Sequence, residues 1–575
     1  MGDNMLVAKG YRPVDRDQYF LLPPSMRDWL PDSDPVWLVI ETVASLDTSV
    51  LHAQRKTGGV GRAGYDPDML LTLLIWGWAH GQRSSRQLER LCHRDIAYRI
   101  ICAGDAPDHV TISRFRADCA TAVEDLFAQV LVLCARLGMV NIGVVALDGV
   151  KIASNASMSA NRTEDGLRAA MAAQAARAAS EHADVDAAED EMFGADDRGD
   201  EVPGDLVDPR SRSARIAAAL ADLQDHNTKQ AAENNAADER AQAREAAAEQ
   251  ARQARAEKVA RWREQHPPGS RSARVPTEIR VEVHTANLER IRAAQQAKID
   301  RWRPGQPGPR PVPVDDHYDV VRARNTLERA TAERVARQAA EGTRTRDAAA
   351  RKEADRRAAA THPRTLTDPK RNITDPESRL MMLRGGGWIQ GFNCQAVTSS
   401  DGLFLATGVG NNPADVVAFA AMLDKAVAAA DDIANHRPTS APEGDAAGIG
   451  VFLADAGYLS NENLTSQGPD RLIAIGKARR INKTAREQPT TGPPPPGATP
   501  IEAMRHRLAT PEGHALYAQR GHIAETPFGH AKHNLGFRRF TSRGLDRATA
   551  EFAFHALVHN LFKAIRGGHL TPGTA

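Results

Sequence analysis

The run Ile142-Gly-Val-Val-Ala-Leu-Asp148 is apolar, rich in β-branched residues, and closes on a carboxylate. A short apolar run of this kind reads as a buried strand. A second such run, Gly448 to Leu453 (GIGVFL), leads within two residues to Asp455. Around these two lie further strand signals. Trp388 to Val397 and Leu403 to Val409 read as an antiparallel pair, with Ser399-Ser-Asp-Gly402 as the turn. Leu472 to Ile475 is another short strand. Helices alternate with them: Asp415 to Ala430 is amphipathic, Ser460 caps Asn461–Leu464, and Ala548 to Ile565 is a final apolar helix. This order predicts a mixed α/β sheet.

Two regions differ from that pattern. Residues 1–140 read as an all-helical domain. Asp66-Pro67 opens an apolar helix, with Pro67 in the first turn where its missing N–H costs nothing. Ser84 reads as an N-cap with Gln87 as its capping-box partner, a helix restarts at Thr111, and Gly138 closes it. Arg83, Arg86, Arg114 and Arg116 fall on exposed-looking positions. They fit either a helix-turn-helix-like DNA-binding unit or a helical bundle with surface arginines. The other region, from about Ala160 to Pro363, is rich in Ala, Arg, Glu, Asp and Gln and nearly empty of large hydrophobics. Windows 214–263, 282–302 and 318–360 have high helix propensity but mostly alanine stripes, which bury little surface on their own. Arg-Trp-Arg at 261–263 and 301–303 is a weak duplication or a coincidence. The region predicts a partly mobile helical excursion inserted after the first sheet strand.

The bulk numbers exclude several classes. A chain of 575 residues is long enough for more than one core. Its net charge of +1 announces no nucleic-acid partner by itself, yet the charge is segregated. Residues 181–208 hold twelve acids against Arg198, whereas residues 476–575 hold fifteen Lys/Arg against six Asp/Glu. The basic segment fits a footprint for a phosphate backbone, or a solvated helical surface. The five cysteines show no zinc spacing and no disulfide framework, as expected of buried thiols in a reducing compartment. The first residues do not read as a signal peptide, and the apolar stretch Met69 to Ala79 is too short to span a bilayer. A cytoplasmic protein without membrane contact is the expectation.

The chemistry concentrates near the C-terminus. Tyr517-Ala-Gln-Arg520-Gly-His-Ile-Ala-Glu525-Thr-Pro-Phe-Gly-His-Ala-Lys532 places four polar residues in a Y-x2-R-x4-E-x6-K register on an apparent helix. An isolated strand-end Asp is usually a turn-former, and an isolated helical Glu is usually solvated. Asp148, Asp455 and Glu525 together offer what phosphodiester chemistry needs. Two Mg²⁺ ions roughly 3.5–4 Å apart activate the attacking oxygen and stabilise the leaving one. Mg²⁺ takes oxygen ligands and keeps several waters, so three carboxylates suffice. Arg and Lys beside such a site would meet phosphates. Tyr517 would stack on an unpaired base or pack. His522, His530 and His533 lack metal-ligand spacing and read as surface or DNA-facing residues.

These residues resemble a known family. Asp148-Gly-Val-Lys-Ile-Ala-Ser-Asn155, Ala454-Asp455-Ala-Gly457-Tyr458 and the Tyr517/Arg520/Glu525/Lys532 signature are similar to bacterial insertion-sequence DDE transposases. More narrowly, the chain resembles the branch with an N-terminal helical domain bearing Tyr65-Asp-Pro67, Ser84-Ser-Arg86 and Pro107-Asp-His-Val-Thr-Ile-Ser-Arg-Phe-Arg116. Ile373-Thr-Asp-Pro-Glu-Ser-Arg379 and Gly391-Phe-Asn393-Cys-Gln also fit it. The resemblance covers about residues 12–160 and 370–566.

It implies an RNase H-like mixed-sheet core over residues 141–160 and 370–570, preceded by a helical DNA-binding-type domain over 1–140. The Ala/Arg/Glu-rich insertion would occupy 161–369. It further implies that Asp148, Asp455 and Glu525 are catalytic and hold two Mg²⁺, with Mn²⁺ able to substitute. Tyr517, Arg520 and Lys532 would position DNA, and Arg538 and Arg539 would touch its backbone. The implied activity is Mg²⁺-dependent cleavage and strand transfer at the inverted ends of a mobile element. The implied partners are double-stranded DNA, as element ends and as target, and further copies of the chain in a synaptic complex. The alternative is a catalytically inactive, domesticated DNA-binding relative, against which the intact triad speaks. A coiled-coil protein is disfavoured because the alanine stripes of 210–360 lack sustained heptads. For the insertion, dimerisation, end synapsis, DNA contact and a plain spacer stay open.

Overall fold

The computed structural model describes residues 25–54, 64–174, 211–266, 275–305, 307, 309–361, 369–383, 385–438 and 448–571, with side chains withheld for 343–361. The acid-rich stretch 181–208 lies outside the described residues, as does most of the Pro/Gly break after His266.

The sheet forms where the apolar runs predict it. Its strands are β1 (Val144–Ala153), β4 (Arg379–Met382), β5 (Trp388–Ser399), β6 (Phe404–Gly410), β7 (Val451–Ala454) and β8 (Asp470–Ile473). A separate two-stranded piece pairs β2 (Asn161–Arg162) with β3 (Arg371–Asn372). The order across the main sheet is β4-β5-β1-β7-β8, with β6 also on β5. β1 runs antiparallel to β5 and parallel to β7, and β7 runs parallel to β8. The sheet is therefore mixed, as the helix–strand order implies.

One boundary differs from the sequence reading. Asp148 does not end its strand, because β1 continues to Ala153 along β5. What stops at Leu147 is the pairing to β7, where Leu147 meets Ala454. Asp148 thus stands where one neighbour leaves while the other continues.

Gly391 shows how tightly β5 lies on β1. A Cβ there would come 2.2 Å from the Ile152 carbonyl oxygen and 3.1 Å from the Ala153 Cα. Backbone cannot swing away as a side chain does. Gly391→Ala should therefore cost about 1–3 kcal/mol or more, as overpacking does, measured as a lower midpoint in thermal or denaturant unfolding. An unchanged midpoint would mean the strands are looser than they stand here.

The N-terminal helices are Pro35–Ser45, Ser49–Ala53, Pro67–Ala79, Ser85–Arg94, Ile96–Ile101, His109–Cys119 and Val123–Arg136. Asp66 caps the third, accepting from the Asp68 and Met69 amides, and Pro67 occupies its first turn. Two details depart from expectation. Ser84 sits at the N-cap but makes no side-chain capping bond, so the capping box is not formed. The helix read from Thr111 starts at His109 under an Asp108 cap and breaks at Ala120–Ala122. The Asp108 carboxylate satisfies the orphan amides of Val110 and Thr111, so the helix begins ahead of Thr111.

These helices share a hydrophobic cluster with the sheet. Leu74, Trp78, Leu126 and Val130 belong to the same buried group as Leu147, Phe404 and Phe552. The C-terminal helix Leu545–Arg566 crosses β6, and the buried Asn560 exchanges hydrogen bonds with both backbone groups of Phe404. All five cysteines are buried free thiols, in keeping with the compositional reading.

Arg83 and Arg116 are not the exposed pair the sequence suggests. Arg83 donates to the carbonyls of Gly536 and Arg539 and lies over the Trp78 and Phe537 rings. Arg116 donates to the Arg83 carbonyl. Burial lowers both guanidinium pKa values from the ordinary arginine value. Arg86 and Arg114 remain exposed.

Residues Leu223–Pro369 form a second compact unit. Helix Arg280–Arg301 packs against Tyr318–Thr361, tied by Arg280–Glu333 and by Asp315 to Arg292 and Arg324. Most side chains between residues 224 and 258 are exposed, as their alanine and charge content predicts. Among the described residues no helix is long and apolar enough to cross a membrane.

Candidate active site

Parallel pairing sets the first half of the site. With Leu147 opposite Ala454, the next residue on each strand is an acid, so Asp148 and Asp455 are neighbours across β1 and β7. Strand alternation puts both on the face that carries Ala146 and Leu453. Those two residues belong to a small buried cluster with Leu472, Met504, Leu508, Tyr517, Ile523 and Ala524. The segment 517–532 packs on this face.

That segment is not one helix. It divides into Pro511–Ala518, Arg520–Gly529 with Pro527 inside, and a π-helical turn His530–Asn534. The first break falls at Gln519, and Pro527 within the second helix removes the amide that the Ile523 carbonyl would otherwise accept from. Thr398 on β5 donates to the Ile523 carbonyl and helps hold the middle helix to the sheet.

Arg520 is the centre of the arrangement. Its Nη1 lies 3.5 Å from Asp148 Oδ2 and its Nη2 lies 3.8 Å from Glu525 Oε1. The side chain is 11% exposed, against 13% for Asp148 and 65% for Glu525. Burial alone would lower the Arg520 pKa, but Asp148, Tyr517, Asp455 and Glu525 around it raise it above the ordinary value. One guanidinium therefore faces all three acids and the tyrosine. Its Nη1 is also buried with no hydrogen-bond partner.

Tyr517 is covered by its surroundings. Its ring is buried in the small cluster, which favours packing over base stacking. Burial raises the hydroxyl's pKa, while Arg520, which hydrogen-bonds to it, acts in the opposite direction. Tyr517 thus braces Arg520.

The other basic residues lie farther along. Burial lowers the Lys532 pKa, partly offset by the nearby Cys394 thiol and reinforced by Arg538. Arg538 donates to the Lys532 carbonyl, and Arg539 donates to the Ser154 carbonyl, while both remain exposed. His522 and His533 are exposed, whereas His530 packs its ring 5.7 Å from His559 and burial lowers its pKa. His530 is thus only partly exposed.

A polar cluster on the opposite face went unnoticed in the sequence. Asn393 and Gln395, side by side on β5, both donate to the Asp415 carboxylate. The fully buried Tyr458 donates to Gln395. The signal was available: two amides at i and i+2 inside an otherwise buried strand.

Two family models match the chain, "Transposase domain (DUF772)" over residues 24–118 and "Transposase DDE domain" over residues 497–565. Both models are of transposase domains, and together they support an insertion-sequence DDE transposase. The second match contains Tyr517, Arg520, Glu525 and Lys532, while Asp148 and Asp455 lie outside both. Neither the curated proteins nor the solved structures gave a match. The DDE domain supports a transposase enzyme, of a family that generally uses divalent metal ions.

The residues present fit such ions. The donor set is all oxygen, as hard divalent cations require. Asp148, Asp455 and Glu525 carry more negative charge than the guanidinium they face. Their oxygens do not converge on one point. Among the described residues, the group whose ligand atoms all lie within 4.8 Å is His52, Asp66 and Asp68, in which Asp66 already caps a helix.

Proposed function

We propose that this transposase binds the inverted ends of its element, cleaves them, and joins them to target DNA at one site built from Asp148, Asp455 and Glu525. The observation that carries the reading is Arg520, which faces all three acids and Tyr517 from one buried position. The strand order, with β5 antiparallel to its parallel neighbours, supports an RNase H-like core over 141–160 and 370–570. The same reading assigns residues 1–140 to DNA binding, 161–369 to a helical insertion, and self-association to a synaptic complex.

Asp148 and Asp455 would hold two Mg²⁺ at the edge where the β1–β7 pairing ends, with Glu525 closing over them. Bound there, such ions acidify the attacking oxygen and stabilise the leaving one. Glu525 is mostly exposed, so its longer side chain has room to move between Arg520 and that edge. Arg520 Nη1 is ion-paired to Asp148 at 3.5 Å but makes no hydrogen bond, and a phosphate oxygen would accept one. Tyr517 keeps the guanidinium aimed. Lys532, Arg538 and Arg539 extend the basic surface along a DNA backbone.

The test is a labelled element-end duplex incubated with Mg²⁺ and either the wild type or Glu525→Gln. Wild type should nick at the terminus and the variant should not. Equal silence, or equal nicking, would sink catalysis by this triad.

A further inference from the structure

We propose that Asp415 is a positioning residue that fixes the spacing of Asp148 and Asp455 from behind the sheet. The inference rests on the reading of those two acids as metal ligands.

Both acids are followed closely by glycine, Asp148-Gly149 and Asp455-Ala-Gly457. Side chains alternate along a strand, so Gly149 opens a gap on the face opposite Asp148. Gln395 and Asp415 together fill that gap. A Cβ on Gly149 would lie 2.9 Å from Asp415 Oδ1 and 2.5 Å from Gln395 Nε2. A Cβ on Gly457 would lie 3.0 Å from Asp415 Oδ2 and 2.9 Å from Asp455 Oδ1. One carboxylate is therefore wedged against both backbones, one oxygen toward each.

The wedge is itself held. Asn393 and Gln395 donate to Asp415 Oδ1 at 2.8 and 2.9 Å. Tyr458, in the turn just after Asp455, donates to Gln395. The Asp455 carboxylate accepts from the Gly457 amide at 2.7 Å. Gly149, Gln395, Asp415, Gly457 and Asp455 thus form a continuous chain of contacts between the two strand positions. Pairing between β1 and β7 ends at Leu147 and Ala454, one residue before the acids. Beyond that point these side chains hold the separation.

Outer contacts that orient metal ligands typically change metal affinity or activity by about 10- to 100-fold when removed. Asp415→Ala should weaken Mn²⁺ binding to the full-length protein by about that factor in calorimetry, and lower kcat for end nicking similarly. KM for the end duplex and the thermal midpoint should stay near wild type. Asp415→Asn is the control that separates geometry from charge. Both hydrogen bonds land on Oδ1, which asparagine keeps, so this variant should retain most of the Mn²⁺ affinity and nicking rate. Asp415→Ala binding Mn²⁺ like wild type would overturn the proposal, even with Asp148→Asn inactive and the triad intact. So would an Asp415→Asn variant as impaired as Asp415→Ala, because charge rather than fit would then be what counts. A wild type that binds Mn²⁺ but never nicks would count against the cleavage reading and leave the calorimetric comparison decisive here.

Discussion

Asp148→Asn will stop nicking at element ends while leaving end binding close to wild type. Asparagine keeps the shape of the side chain and removes the charge that faces Arg520. A metal site supplies several kcal/mol of transition-state stabilisation, and each 1.4 kcal/mol is about tenfold in rate, so a fall beyond about a thousandfold is expected. Single-turnover nicking on preassembled end complexes measures it, with a gel-shift assay for binding. Asp455→Asn should behave alike, because the strand register makes the two acids equivalent neighbours. Loss of end binding in either variant would instead mark the acid as structural.

Arg520→Ala comes next in size. Removing one preorganised donor aimed at developing charge costs about 10²–10³ in kcat. Arg520→Lys should not restore the rate, because a single ammonium cannot span Asp148 and Glu525 as the guanidinium fork does. Tyr517→Phe keeps the packed ring and removes only the hydroxyl at Arg520, so a smaller loss of about tenfold is expected. The order of the three variants is the informative result. A Tyr517→Phe effect as large as Arg520→Ala would mean that the hydroxyl, rather than the guanidinium, meets DNA.

Much of this architecture was legible in the chain. Apolar runs ending in Asp148 and Asp455 marked the two strands whose adjacency makes the site, and the hairpin of β5 and β6 followed from alternation and a Gly-containing turn. The 517–532 spacing marked Arg520 and Glu525. What stayed hidden depended on three dimensions. A polar residue's role inside a strand is set by what lies across from it, so Asn393 and Gln395 gave no hint of Asp415. Arginines on helix surfaces look alike in sequence, yet Arg83 and Arg116 spend their donors on carbonyls, Arg83 reaching residues far along the chain. Tyr517 was ambiguous for the same reason: a tyrosine between helices stacks or packs according to whether its ring is covered.

The small pair of β2 and β3 carries a consequence out of proportion to its size. Asn161 meets Asn372 and Arg162 meets Arg371, so the chain departs and returns at one doorway. Asp222 pairs with Arg371 and Arg379 just inside it. Once both ends of a loop are fastened, doubling its length adds only about 0.6 kcal/mol of closure cost. The acids on either side of the cassette, Asp148 before it and Asp455 and Glu525 after it, need not register its size. Such a doorway leaves the intervening stretch free to lengthen or shorten without retuning the chemistry.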